Sequence, residues 1–388
     1  MMFLNVNPLS ILYKPLEECA LIKRGVRITK AEISENGTYP VISGGEKPMG
    51  YYESFNRDSE TITIAQYGAA GFVNWQTERF WANDVCYCIY PNKELNNRYL
   101  YHVLKNYQNY LYAQRTEAIP AHLPQKVLSS VLIPIPPIDV QEEIVHILDS
   151  FTELTTELTT ELTARKKQYE FYRDELLSFD NLTSEEREKL GVRWTTLGDI
   201  GTFTRGRRFV KTDMVADGIP CMHYGEMYTY YGVKALKVRS YIRSDIDTKL
   251  RFASPNDIVI VAAGETVEDI GVGVAWLGNE KIAIHDACFI YTHNQNPRYI
   301  SHFLRTSQYH KQIVPYVSTG KISSLSETGL KQVKIPLVSL QEQERIANIL
   351  DTFDSLINGI DNNIPAEIEA RKRQYEYYRD KILAFGGE

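Results

Sequence analysis

The chain has 388 residues, 43% of them hydrophobic and 24% charged, with a formal net charge of −6. That length gives room for roughly two or three domains, and the composition is ordinary for a soluble globular protein. No apolar run approaches the roughly 18 residues of a membrane span. The opening MMFLNVNPLSILYK lacks a charged start followed by an apolar core, so no secretory signal is expected. The five cysteines, Cys19, Cys86, Cys88, Cys221 and Cys288, form no CxxC pair, which predicts buried, reduced thiols in a cytoplasmic protein; with no apolar span, no membrane partner is expected.

Dividing the charge changes its meaning. Residues 14–134 carry 13 Lys and Arg against 12 Asp and Glu, and residues 193–336 carry 18 against 13. The acid lies in residues 135–192, with 6 against 14, and in residues 337–388, with 6 against 10. An acidic total therefore does not exclude a phosphate-binding face.

In chain order, a short N-terminal segment (1–13) precedes a strand-rich domain at 14–137. Runs such as Thr61–Ala65 and Val85–Tyr90 are short, β-branched or aromatic, and flanked by Gly, Asn or Pro. Leu100, Val103, Leu104, Tyr107 and Leu111 predict one helix over about 98–115. Pro134, Pro136 and Pro137 then make a rigid exit. Asp139 is placed to cap a helix running to about Phe179, the first of two long helices (138–180). Ile144, Ile147, Phe151, Leu154 and Leu158 share one register, and Leu162, Tyr169 and Leu176 a second one shifted by four. The join, TELTTELTTELT, predicts a local unwinding of a coiled coil. A polar linker (181–192), a second strand-rich domain (193–337) and a second helical segment (338–388) complete the chain.

The two halves repeat. ARKKQYEFYRDELLSF at 164–179 returns almost unchanged as ARKRQYEYYRDKILAF at 370–385. Gly25 matches Gly206, Pro40 matches Pro220, and Asp84-Val-Cys matches Asp286-Ala-Cys. Tyr99-Leu-Tyr-His-Val-Leu matches Tyr299-Ile-Ser-His-Phe-Leu. Leu123 matches Leu325, and the segment from Ile133 to Asp149 matches that from Ile335 to Asp351. Long-range self-similarity of this kind marks an internal duplication. Asp351 to Ala370 is four residues longer than Asp149 to Ala164, and Pro365 inside the excess should kink or restart the second helix.

Catalytic signatures are missing. Ser318–Lys321 lacks the upstream glycine and following hydroxyl of a phosphate loop, and no GxGxxG follows a strand. An Asn/Asp-Pro-Pro-aromatic tetrad, needed around the target nitrogen of an amino-methyltransferase, is absent. His285-Asp286 and Cys288 with His293 fit no tetrahedral ligand spacing, so core or surface roles are expected and no metal site.

Two variable strand-rich domains alternating with two near-identical helices resemble the specificity subunit of type I DNA restriction–modification systems. The resemblance rests on the paired IP…QE.I..ILD and ARK[KR]QYE[FY]YRD motifs and covers nearly the whole chain. It implies an α+β fold: two target-recognition domains separated by two long antiparallel coiled-coil helices, related by a pseudo-two-fold internal repeat. It further implies a non-enzymatic recognition subunit in which each domain reads half of a bipartite double-stranded DNA target. The helices would set the half-site spacing and dock two methyltransferase subunits, with up to two endonuclease/translocase subunits joining. S-adenosylmethionine, ATP and Mg would then belong to those partners and none to this chain.

Under that resemblance, Lys23, Arg24 and Arg27 around Gly25, with Arg205, Arg207 and Arg208 around Gly206, are candidate phosphate contacts; solvated loops are the plainer reading. Lys47, Gln66 and Tyr67 in the first half, and His223, Tyr224 and Lys321 in the second, are candidates for base edges. Leu162, Tyr169, Tyr172, Leu176, Tyr375, Tyr378 and Ile382 are expected in the helix seam or at a docking surface. The competing reading is a duplicated coiled-coil adaptor whose strand-rich domains bind protein ligands instead of DNA.

Overall fold

The computed structural model describes residues 11–246, 250–264, 270–318, 320, 322–358 and 364–385. Lys321 lies outside them. The chain forms two compact units, and the boundary cuts through the helices. One unit holds the residues up to Leu158 together with those from Glu367 onward; the other is Thr159–Ala366. Each strand-rich domain is therefore completed by a helical segment from the opposite half of the sequence.

In the first unit a four-stranded antiparallel sheet orders Ala20–Arg24, Cys86–Pro91, Thr61–Ala65 and Val73–Gln76. Every residue of Thr61–Ala65 is buried, as expected of a central strand covered on both faces. Tyr39–Ile42 pairs in parallel with Trp81–Ala82 in a second, smaller sheet. The second unit repeats the plan with Gly201–Arg205, Cys288–His293, Ile258–Val261 and Gly273–Trp276, and with Ile219–Met222 parallel to Ile282–Ile284. In each unit a two-stranded ribbon brings the entry to the exit of the domain: Leu12–Pro15 with Leu132–Ile135, and Arg193–Thr196 with Lys334–Leu337.

The first long helix runs without interruption from Ile138 to Ser178, so the four-residue shift in its leucine register does not break it. Asp139 lies inside its first turn and is not its cap; the Gln141 N–H already reaches the Pro137 carbonyl at 3.1 Å. Leu340–Asn358 and Ile364–Leu383 are separate helices, the latter with Pro365 as its second residue, where a missing N–H costs nothing. The predicted helix over 98–115 is two, Asn97–Asn106 and Gln108–Ala113, meeting at Tyr107. Among the described residues no helix is long and apolar enough to cross a membrane.

The repeated landmarks are the joints of this scaffold. Gln141 and Gln343 are fully buried. Their Oε1 atoms accept the N–H of Asn96 at 2.8 Å and of Asn296 at 3.0 Å. Their Nε2 groups donate to the carbonyls of Pro136 and Val338, each at 2.8 Å. Asn96 and Asn296 in turn cap the helices that follow, each accepting two N–H groups. Tyr99 and Tyr299 donate to the carbonyls of Pro134 (3.0 Å) and Pro336 (2.7 Å). Each unit thus ties its ribbon, its domain helix and the start of its long helix into one bonded corner.

Of the expected seam residues, Tyr172 stacks on Phe353 at 5.9 Å and Tyr378 on Phe151 at 5.5 Å, each pair between two helices of one unit. Leu162 and Leu176 pack against the core of the second unit, and Ile382 against that of the first. Tyr169 and Tyr375 depart from a helix–helix role. They reach buried histidines of the strand-rich domains, His302 and His102.

Candidate nucleic-acid interface

The two basic loops have a common construction. Gly25 donates its N–H to the Cys86 carbonyl at 3.1 Å, and Gly206 to that of Cys288 at 2.9 Å. A Cβ at Gly25 would overlap the carbonyl oxygens of Ala82 and Asn83, and one at Gly206 those of Ile284 and His285. Only glycine lets the loop cross its neighbouring strand so closely. The glycines set the correspondence: Arg24 matches Arg205, and Arg27 matches Arg208.

Arg24 lies over the Tyr87 ring at 5.5 Å and Arg205 over Phe289 at 4.9 Å, again at matching positions. Arg205 also donates from Nε to the Asp286 carbonyl, so its head is tied down. Behind each loop stands an arginine that the sequence did not single out. Arg57 donates to the Arg24 carbonyl and Arg251 to the Arg205 carbonyl, both at 2.6 Å. They are 33 and 46 residues away, and that unequal spacing hides the match. Lys23 sits over the Tyr90 ring at 5.6 Å, while Arg27, Arg207 and Arg208 are exposed.

A second shared frame carries the residues expected to face bases. Gln66 bonds Val85 and Leu123 through its backbone, as Ala262 bonds Ala287 and Leu325. Gln66 is 5% exposed, so it belongs to the scaffold and not to a reading surface. Next to it, Tyr67 stacks on His122 at 5.2 Å; the matching positions are Ala263 and Ser324. Exposed Lys47 borders a pocket of about 170 Å³ with Thr63, Asn74, Gln76 and Glu78.

In the second unit four of the expected residues converge, Arg207 not among them. Arg205, Arg208, His223 and Tyr224 line a cleft of about 470 Å³ together with Phe209, Lys211, His285 and Asp286. The His223 ring lies 4.5 Å from Tyr224 and 4.7 Å from His285, and Phe209 meets His285 edge-on at 5.0 Å. Burial pushes both imidazoles below their usual 6.5, against the pull of Glu226 and Asp286 on His223 and of Asp286 on His285. Nδ1 of His223 accepts the Gly225 N–H at 3.2 Å. Nδ1 of His285 lies 3.1 Å from both the Ala287 N–H and the Asp286 carboxylate. His285 and Asp286, expected in core or surface roles, are thus part of the cleft. Lys211 and Phe209 had no signal in the sequence. Among the described residues no group of three or more His, Cys, Asp or Glu could hold a metal.

The cleft and loops contain hydrogen-bond donors, aromatic faces and positive charge, held by a duplicated frame. Comparison with known proteins gives that arrangement its family. The type I restriction modification DNA specificity domain matches residues 13–166 and again residues 191–370. A putative type I restriction enzyme specificity subunit of Haemophilus influenzae is 33% identical over 395 residues, covering 96% of this chain and 95% of that protein. A type I restriction enzyme specificity subunit of Escherichia coli is 33% identical over 260 residues, covering 63% of this chain and 59% of its own. In fold, the chain resembles the crystal structure of a type I restriction–modification S subunit from M. genitalium. The TM-score is 0.60 at 18% identity, over 99% of this chain and 98% of that one. The chain belongs to the family of type I restriction–modification specificity subunits, the non-catalytic recognition members of those systems.

Proposed function

We propose that each strand-rich domain reads one half of a bipartite double-stranded DNA target and that the long helices fix the gap between the halves. The observation that carries this reading is the duplicated basic loop. Arg24 and Arg27, like Arg205 and Arg208, are held at matching positions on one bonded frame, whereas the residues around them differ between the units. Phosphates are the same along any DNA, and bases are not. A reader of two unlike half-sites therefore needs shared cations and unshared polar groups.

The 41-residue helix, at 1.5 Å per residue, is about 60 Å long, enough to span half-sites about 34–36 Å apart on one face of B-DNA. We assign the methyl transfer to two methyltransferase subunits docked on this chain, and cleavage to as many as two endonuclease/translocase subunits. S-adenosylmethionine, ATP and Mg are placed on those partners, and the assembly in the cytoplasm.

The test is methylome sequencing of cells expressing this chain with its methyltransferase. A bipartite motif with one methyladenine in each half and a fixed unspecified gap is expected. A continuous motif, or methylation without sequence preference, would overturn the proposal.

A further inference from the structure

In the cleft of the second unit, one donor is fixed in direction and lacks a partner among the described residues. His223 accepts the Gly225 N–H on Nδ1, closing a turn two residues on. A neutral imidazole that accepts on one nitrogen carries its proton on the other. Its Nε2–H is therefore the free donor, on a ring held between Tyr224 and His285 at 4.5 and 4.7 Å. Of the other polar residues lining the same cleft, Arg208 and Lys211 can only donate, while the Tyr224 hydroxyl can donate or accept. Two carboxylates lie nearby: Asp286, 3.1 Å from the His285 Nδ1 that accepts the Ala287 N–H, and Glu226, which accepts the His223 backbone N–H and the Ser240 hydroxyl.

Comparison with the first unit separates the roles. Arg208 has its counterpart in Arg27, but His223, three residues after Pro220, corresponds to Ser43, three after Pro40. The cation is common to both units and the imidazole is particular to one, as a residue that selects a base should be.

Resting on the DNA reading above, we propose that His223 is a specificity-determining residue of the second half-site and donates its Nε2–H to the acceptor edge of a guanine. Guanine presents two acceptors, N7 and O6, and no donor in the major groove. Adenine sets an amino donor beside its N7 acceptor, opposing the other donors of the cleft; cytosine offers only an amino donor; and the lone O4 of thymine is flanked by a methyl.

The experiment compares methylomes of cells carrying the methyltransferase with the wild-type chain, with His223→Ala, or with His223→Ser, the residue that the first unit carries at this position. Preference for one guanine in one half-site should fall about tenfold in both variants, the rest of the motif being kept. An unchanged motif, a change confined to a base other than guanine, or an equal loss at all positions would overturn the assignment while leaving the bipartite reading intact. Absence of a bipartite motif in the wild type would instead remove the DNA reading itself. Should His223→Ala fail to assemble with the methyltransferase, His223→Ser decides alone.

Discussion

Tyr375, on the terminal helix, meets Nδ1 of His102 at 3.4 Å, and Nε2 of that histidine lies 2.8 Å from Asp149 on the first long helix. The second unit repeats the chain with Tyr169, His302 and Asp351 at 3.2 and 3.0 Å. Burial keeps both histidines below their usual 6.5, despite the carboxylates. A neutral ring beside an ionised aspartate must donate from Nε2 and accept from the tyrosine hydroxyl. Each triad thus has one consistent direction of donation and binds a strand-rich domain to two helical segments at once.

Removing the tyrosine hydroxyl leaves a buried acceptor without its donor. Tyr375→Phe and Tyr169→Phe should each destabilise the chain by about 1 kcal/mol in urea unfolding. The aspartates should differ more. Asp351, 10% exposed, receives His302, Lys234 at 2.5 Å and Arg298 at 2.7 Å, while Asp149, 36% exposed, receives His102 and Arg98. Asp351→Ala strands more buried charge, and roughly 3–5 kcal/mol is expected, against about 1–3 for Asp149→Ala. Equal costs would mean that the extra partners of Asp351 contribute nothing.

The same triads set a pH dependence. His102 and His302 resist protonation in the folded state more than in the unfolded one, so the unfolded chain gains protons first as pH falls below about 6.5. Stability should therefore decline from about pH 6.5 downward. Burial opposes ionisation of Asp149 and Asp351, but the bonds from their histidines and the nearby cations outweigh it and hold both carboxyls below the usual 3.8. Their contribution, present above 3.8, is lost at still lower pH. His293, pushed down to about 4 by burial, adds to the first decline. Urea midpoints measured from pH 7.5 to 5 should thus flatten only in part in a His102→Gln, His302→Gln double variant. An unaltered slope would show that the triads do not govern it.

The scaffold was legible in the sequence because its joints are bonded in pairs. Gln141 and Gln343, His102 and His302, and Asp149 and Asp351 each satisfy one partner set, so both copies keep the residue and the spacing. The candidate interface was legible only in pieces. His223, Arg208 and His285 meet in one cleft but come from loops that differ in length between the halves. Gln66 looked like a loop-borne reader, because nothing in the sequence distinguishes an exposed amide from a buried one. The break at Tyr107 was hidden for a related reason: Leu104 and Leu111, on either side of it, are both fully buried in the core of the first unit.

If Arg27 and Arg208 contact phosphates, each should contribute about one unit to the salt dependence of binding. Arg27→Ala and Arg208→Ala, assembled with the methyltransferase, should weaken binding to cognate and non-cognate DNA alike and lower the slope of log K against log salt by about 1. A loss confined to one sequence would move the residue from backbone contact to base reading.

The unbroken helix from Ile138 to Ser178 makes the spacing testable by length alone. Deleting four residues around Leu154–Leu158 removes about 6 Å, close to one turn, so the helical faces beyond the deletion keep nearly their original direction. Both strand-rich domains and their triads lie outside the deleted stretch and should remain folded. The methylated motif should keep both half-sites and lose gap length, by no more than about two base pairs at about 3.4 Å each. A motif with its former gap would mean that some other contact sets the separation, and the helices would lose the role of ruler.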